Sequence, residues 1–183
     1  MIRTDRLLLR PLRQSDAGPM TLYSSDPRVA RMTTSIPHPY PPGAAEAFIE
    51  RVHQGRAPER VWAIDATPIG GAELVGVISV KDKAGEIGYW VGPPFWNTGY
   101  ASEALGGLVA RLVEEGRERL DATVFADNPA SAHVLEKIGF AQVGETEHFS
   151  SARGEMVPTQ VFRYEAGLRQ GHRVADGPRG MTA

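Results

Sequence analysis

A chain of 183 residues is long enough for one domain, and its net charge of −2 argues against a dedicated nucleic-acid binder. It contains no cysteine, which excludes a disulfide framework, a thiol nucleophile and thiolate metal sites. The first residues lack the apolar core of a signal peptide, and no apolar run approaches the ~20 residues of a membrane span. We therefore expect a soluble, cytoplasmic protein.

The first half of the chain predicts strands and short helices around a turn-rich segment. Residues 6–12 are expected to form an edge strand, because Pro11 cannot donate to a sheet, and a short helix begins near Asp16. Residues 25–42 are proline-rich and predict a long ordered loop, which is functional or a plain surface connection. A helix and three strands are predicted at residues 44–52, 60–66, 73–80 and 86–91.

The second half predicts two helices, a strand and a hairpin. Apolar residues recur at three-and-four spacing from Ala101, which predicts an amphipathic helix ending at Gly116. A second helix is expected to begin after Asn128, because asparagine is a good N-cap and Pro129 suits the first helical position. Gly139 then ends it. The remaining strands are predicted at residues 120–126, 140–146 and 157–164.

The order of these elements predicts an α+β, or mixed α/β, fold in which helices cover both faces of one sheet. We expect about seven strands and four helices within a domain of residues 1–166. Residues 167–183 are rich in glycine, arginine and proline without periodicity, and are interpreted as a flexible tail.

A loop between strand and helix predicts an anion site. Residues 89–103 join the end of a strand to the amphipathic helix through Asn97, Thr98 and Gly99. Free N–H groups at such a helix start favour a phosphate, although a tight turn without a ligand explains this loop equally well. It is neither a P-loop nor the dinucleotide fingerprint. Val91 precedes a Gly-Pro-Pro turn, so we expect its N–H and C=O to be free for a ligand.

Three polar side chains are candidates for chemistry. Glu86 shares a strand face with Gly88 and Trp90, where desolvation would raise the pKa of the carboxyl and suit a general base. The alternative is a solvated carboxylate at the strand tip. Ser131 points to the buried side of its helix and needs a partner, which is a backbone carbonyl or a ligand. Asn128 is most simply explained as an N-cap.

Other side chains add less. Tryptophans are usually core residues, but Trp96 lies in the loop and is expected to line a pocket. The histidines are scattered without the spacing of metal ligands, so no metal is predicted. No nucleophile-elbow motif is present.

Three blocks of sequence resemble the GNAT superfamily of acetyl-CoA-dependent N-acetyltransferases, and in particular its RimJ/RimL-like branch. They are residues 86–91, 95–105 and 128–140, and residues 4–11 match the usual first strand of that branch. The resemblance covers residues 4–165 in the family's order.

The resemblance implies an enzyme that moves an acetyl group to a primary amine of a small molecule or peptide. Acetyl-CoA would lie in a mixed, mostly antiparallel sheet splayed between the fourth and fifth strands. Its pyrophosphate would bind N–H groups of residues 97–102, and its pantetheine would pair with Trp90 and Val91. Asn128 and Ser131 would face the pantetheine and the thioester. The implied cofactor-binding residues are Trp90, Val91, Trp96, Asn97, Thr98, Gly99, Tyr100, Ala101, Ser102, Asn128 and Ser131.

The resemblance also implies catalytic roles. Glu86 would accept the amine proton directly or through water, the Val91 N–H would stabilise the oxyanion, and Ser131 would protonate or hydrogen-bond the thiolate. Two positions depart from the family. Asn97 replaces a usual glycine, but asparagine tolerates left-handed backbone. Leu135 replaces the tyrosine acid of many members, so that role passes to Ser131 or to another group.

The acceptor pocket is expected between the loops of residues 25–42 and 150–158. Its acceptor is left open among a protein N-terminus, an aminoglycoside-like drug and a small amine, and a homodimer is considered. Alternatives are a CoA-binding regulatory protein without catalysis, a succinyl or other acyl transferase, and a nucleotide-binding protein that uses the same loop. The candidate acceptor-binding residues are Arg28, Arg31, His38, Tyr40 and Glu155.

Overall fold

An eight-stranded sheet forms the frame of the computed structural model, which describes residues 1–167. The strands lie in the order β1-β2-β3-β4-β5-β6-β8-β7, and only the β5–β6 pair is parallel. Their bounds are β1 Ile2–Arg3, β2 Leu8–Arg10, β3 Arg60–Asp65, β4 Gly76–Lys81, β5 Glu86–Val91, β6 Arg119–Phe125, β7 Ala141–Ser150 and β8 Glu155–Glu165.

Five α-helices pack on the two faces of this sheet. One buried cluster joins the sheet to α4 and α5, and a second joins the opposite face to α1 and α3. The helices are α1 Ala17–Ser24, α2 Pro27–Ala30, α3 Ala44–His53, α4 Tyr100–Glu114 and α5 Pro129–Ile138. The predicted α+β architecture, with helices on both faces of one sheet, is confirmed. Within the described residues, every helix is too short or too polar to cross a membrane.

The structure has one strand and one α-helix more than the predicted seven and four. Two irregular regions also differ from prediction. The additional strand is the two-residue β1, which pairs with β2. The additional helix is α2, within a segment that we predicted as loop. Asp26 caps α2 by accepting from the Arg28 N–H at 2.8 Å, and Pro27 takes its first position. These are ordinary helix-start signals that the surrounding prolines obscured.

The final hairpin is longer than predicted. The expected loop at residues 150–158 is wrong, because β7 runs to Ser150, β8 starts at Glu155, and only residues 151–154 form a turn. Most of β7 is solvent-exposed and polar, which hides the apolar alternation that identifies a strand. The predicted tail lies, from residue 168 onward, outside the described residues.

A buried ion cluster joins β2 to its neighbours. The side chain of Arg10 is 1% exposed and donates to Asp65 Oδ2 at 2.7 Å and to Asp16 Oδ1 at 2.8 Å. It also donates to the Glu73 carbonyl at 2.8 Å. Hydrogen bonding to Asp16 raises the pKa of Arg10 above its ordinary value, so the guanidinium stays charged. The cluster fixes the chain before α1 against the sheet.

Replacing Arg10 with methionine leaves the carboxylates of Asp16 and Asp65 buried without their cation. We expect Arg10→Met to lower the free energy of unfolding by about 3–5 kcal/mol, the usual cost of breaking a buried ion pair. Urea denaturation measures the change. The exposed Arg3→Met is the matched control and should shift stability by less than about 0.5 kcal/mol. A loss below about 1 kcal/mol for Arg10→Met contradicts this account.

Candidate active site

The parallel strands β5 and β6 pair only at their first residues, Glu86 with Asp121 and Ile87 with Ala122. Beyond Ile87 the register contains no further pair between them, so the sheet splays there. This is the gap predicted between the fourth and fifth strands, since the short β1 shifts the numbering by one. The prediction of a splayed sheet is confirmed.

The edge of β5 presents backbone groups to this gap. The Gly92 N–H donates to the Val75 carbonyl at 2.8 Å, on the β4 side. Because successive residues of a strand present their N–H groups to opposite sides, Val91 and Tyr89 face the gap while Trp90 faces β4. The cofactor pairing expected near Trp90 and Val91 stays a prediction, and the backbone of Trp90 itself is directed to Val77 of β4. Tyr89 and Val91 occupy the free edge.

The Val91 carbonyl is already bonded. Trp96 donates its indole Nε1–H to this oxygen at 2.7 Å, so the expectation that the carbonyl is free for a ligand is wrong. Trp96 remains 41% exposed, and the Arg28 guanidinium lies 5.3 Å from its ring centroid. The indole thus fastens the loop after β5 to the strand end and leaves the Val91 N–H available.

Helix α4 begins without a side-chain cap. Asn97 and Gly99 take left-handed backbone, with φ of 60° and 83°, as the departure at position 97 led us to expect. The Glu103 N–H bonds the Gly99 carbonyl at 3.0 Å, and the Tyr100 N–H reaches Thr98 Oγ1 only at 3.4 Å. Positions before Glu103 lie too early in the helix for intrahelical bonds, so first-turn N–H groups point outward, as an anion site requires.

Sequence reasoning missed the residue that supports this loop, Arg6. Its Nη1 donates to the Thr98 carbonyl at 3.0 Å, its Nε donates to Glu103 Oε2 at 2.7 Å, and its guanidinium lies 4.9 Å from the Tyr100 ring centroid. Thr4 Oγ1 also donates to Glu103 at 2.6 Å. Partial burial acts to raise the pKa of Glu103, but the hydrogen bonds from Thr4 and Arg6 hold it below its ordinary value.

Arg6 belongs to the segment that resembles the family's first strand. That resemblance was the only feature of the sequence that could have pointed to this residue. Its partner Glu103 lies 97 residues away, so no local pattern joins them.

Glu86 lies on the face of β5 opposite α4, where its neighbours are polar. Its side chain is 30% exposed and forms an ion pair with Lys81 Nζ at 2.9 Å, and Thr123 Oγ1 lies 3.5 Å from its other oxygen. The expected apolar surroundings are wrong, and sequence reasoning missed Lys81 and Thr123. Gly88, on the same face, is exposed beside Ser79 and leaves open space next to the carboxylate of Glu86.

Ser131 meets a partner that the sequence did not indicate. Its N–H donates to Asn128 Oδ1 at 3.2 Å, which confirms Asn128 as the N-cap of α5. Its Oγ lies 2.9 Å from the hydroxyl oxygen of Tyr89. Burial raises the pKa of Tyr89 to about 12, so the phenol is neutral at physiological pH. Leu135, one turn further along α5, is fully buried in the core.

The candidate acceptor residues are dispersed. Arg31 lies 3.4 Å from Asp127, which Arg153 of the β7–β8 turn also binds, at 2.9 Å. Tyr40 instead packs against the cluster between α1 and α3, where burial raises its pKa. His38 and Glu155 are exposed. Arg153 and Asp127 were missed by sequence reasoning. In the part of the chain that is described, no three His, Asp or Glu side chains gather as metal ligands do.

Comparison with known proteins agrees with this fold. The uncharacterized N-acetyltransferase YoaA of Bacillus subtilis (strain 168) is 29% identical over 173 residues, which cover 88% of this chain and 94% of YoaA. An acetyltransferase (GNAT family) from Bacillus anthracis superposes with a TM-score of 0.74 at 24% identity, covering 90% of this chain and 97% of that chain.

Mycobacterium smegmatis RimJ, solved in complex with CoA-disulfide, has the same fold, with a TM-score of 0.74 at 19% identity. The superposition covers 90% of this chain and 85% of RimJ. The family model described as an acetyltransferase (GNAT) domain matches residues 6–141, most of the described chain. The protein therefore belongs to the GNAT family of acetyltransferases.

Proposed function

We propose that this protein transfers the acetyl group of acetyl-CoA to a primary amine, which attacks the thioester directly. The observation that carries the proposal is the gap between β5 and β6, which places a free strand edge beside the uncapped start of α4. A thioester cosubstrate with peptide-like amides and a diphosphate matches both features. The strand edge suits the amides and the helix start suits the diphosphate.

The cosubstrate is held by backbone groups in this proposal. The pantetheine amides add to the edge of β5 at Tyr89 and Val91, as an extra strand does. The diphosphate accepts from the N–H groups of Ala101 and Ser102, at the positive end of the α4 dipole. The left-handed residues Asn97 and Gly99 shape the loop so that its backbone faces the phosphates.

The chemistry requires three groups. The amine nitrogen attacks the thioester carbon and loses its proton to Glu86, directly or through water. The Val91 N–H donates to the oxygen on which charge develops. The carbon–sulfur bond then breaks, and sulfur leaves with the electron pair beside the Ser131 hydroxyl. Alignment of amine and thioester in the gap supplies much of the remaining rate.

In this proposal the acceptor binds over the exposed surface of β5 at Gly88, between the α2 segment and the β7–β8 turn. Arg31 and Arg153 share the single carboxylate of Asp127 there, so the three side chains together keep one net positive charge. This residual positive charge disfavours a polycationic acceptor and is compatible with a chain that carries one amine, such as a peptide N-terminus. A peptide acceptor would accord with the RimJ/RimL-like branch. We keep the homodimer as a proposal, which sedimentation tests.

An acetyl-CoA turnover screen against small amines, aminoglycosides and N-terminal peptides tests the function. We expect amine-dependent release of free thiol, and an acetylated product by mass spectrometry, for at least one member of the panel. Succinyl-CoA serves as the comparison donor. Tight binding of acetyl-CoA without turnover of any amine would show a CoA-binding protein without catalysis and would contradict the proposal.

The general-base role of Glu86 predicts that Glu86→Gln lowers kcat by at least about tenfold, since such groups contribute about 10²- to 10⁴-fold. The KM for acetyl-CoA should stay within about twofold, because the carboxylate lies on the face opposite α4. Steady-state kinetics measure both constants. The exposed Glu147→Gln is the matched control and should leave them unchanged. A fall in kcat smaller than about tenfold rules out this role.

Arg6 supports the loop before α4 through its contacts with Thr98 and Glu103. We therefore expect Arg6→Met to weaken acetyl-CoA binding by about tenfold, the loss expected for one charge-assisted hydrogen bond. Calorimetry of acetyl-CoA binding measures it, with the exposed Arg56→Met as control.

Because the pKa of Glu103 is lowered, the stabilisation from its contact with Arg6 is complete above the ordinary glutamate pKa. It is lost only as the pH falls through the lowered value. The affinity difference between wild type and Arg6→Met should therefore be constant from about pH 6 to 8. A difference that disappears within this range contradicts the assignment.

A further inference from the structure

The hydroxyl of Tyr89 lies against the residue that the proposed mechanism places beside the leaving sulfur. Side chains alternate along β5, so Tyr89 points to the α4–α5 side while its peptide group lies on the free edge. Its oxygen is 2.9 Å from Ser131 Oγ and 3.2 Å from the Ser131 carbonyl oxygen. One residue thus contributes backbone to the gap and a phenol to its wall.

These two distances allow two hydrogen-bond arrangements. In the first, Tyr89 donates to the Ser131 carbonyl, and the Ser131 hydroxyl donates back to the phenol oxygen. In the second, Tyr89 donates to Ser131 Oγ, and the serine proton is free to point away from the phenol. Exchange between them requires rotation of hydroxyl groups alone, because both acceptors are within reach.

Nothing else on this face of α5 offers a hydroxyl at that place. Leu135 follows Ser131 by one helical turn and is fully buried, so its side chain supplies packing only. Asn128 Oδ1 is occupied by the Ser131 N–H. The phenol of Tyr89 reaches the serine from the strand instead, across 42 residues of sequence.

We propose, resting on the acetyl transfer proposed above, that Tyr89 is a positioning residue that aims the Ser131 hydroxyl at the leaving sulfur. As the amine nitrogen bonds to carbon and the carbon–sulfur bond breaks, the electron pair goes to sulfur. Ser131 then donates a hydrogen bond to the thiolate, and Tyr89 donates one to Ser131. The amine proton leaves through Glu86 and water, and the thiolate takes its proton from water.

The proton affinities support stabilisation over proton transfer. Burial raises the pKa of Tyr89 to about 12, whereas an ordinary thiol has a pKa of about 8.5. Tyr89 therefore keeps its proton while the thiolate forms. The phenol therefore stays protonated at neutral and mildly alkaline pH, so we expect Tyr89 to introduce no alkaline limb into the pH profile there.

The test uses Tyr89→Phe, Ser131→Ala and the double variant, with Tyr164→Phe as the matched control. Tyr164 packs against Phe140 with ring centroids 5.5 Å apart and lies outside the proposed machinery. We expect kcat to fall about tenfold for Tyr89→Phe and about 10²-fold for Ser131→Ala. The double variant should match Ser131→Ala within about twofold, and KM for acetyl-CoA should change less than about twofold in all.

The inference is overturned if the losses in kcat of the two single variants multiply in the double variant, or if Tyr89→Phe keeps the wild-type kcat. Either result leaves the proposed function standing. A general loss of structure is detected separately by thermal melting, in which Tyr89→Phe should follow Tyr164→Phe.

A second readout does not require turnover. The wild type should bind CoA increasingly better than desulfo-CoA as the pH rises through the thiol pKa, because the Ser131 hydroxyl stabilises the thiolate. Tyr89→Phe should lower this preference about fivefold. If no amine is acetylated but the preference falls in Tyr89→Phe, the proposed function fails, while the placement of the Ser131 hydroxyl by Tyr89 against the CoA sulfur still holds. An unchanged preference, or no binding of CoA, overturns the inference.

Discussion

The interruption of backbone pairing between β5 and β6 is the constraint on which the site depends. Two parallel strands of equal regularity would satisfy each other's N–H and C=O groups along their full length. Here the pairing ends at Ile87, and the remaining edge of β5 must find other partners. A ligand with amide groups of its own is the natural partner for such an edge, and the GNAT family uses acetyl-CoA.

Contacts within the chain hold both the end of β5 and the start of α4 beside the gap. Trp96 donates to the carbonyl oxygen of Val91, so of the two backbone groups of this residue only the N–H is left for a ligand. Arg6 and Thr4 hold Glu103 in the first turns of α4. These contacts preorganise the end of β5 and the start of α4, so the cosubstrate proposed to bind there would meet little ordering cost.

Local patterns predicted most elements, because caps and turns depend on residues close in sequence. The Asn128 cap and the β5 bounds came from neighbours a few positions away, whereas the left-handed backbone at Asn97 was expected from the glycine usual there in the resembled family. The electrostatic environment of Glu86 could not be read in this way, since it depends on the register that places Lys81 opposite it. The bond between Tyr89 and Ser131 likewise requires the packing of a helix on a strand.

Asp127 and Asn128 are adjacent, yet they serve different surroundings. Asp127 joins the arginines of the α2 segment and the β7–β8 turn, and these contacts with Arg153 lower its pKa. Asn128 caps α5 beside the gap. The two contacts are made by separate side chains, so a substitution at Asp127 can change the proposed acceptor side while the Asn128 cap beside the gap stays in place.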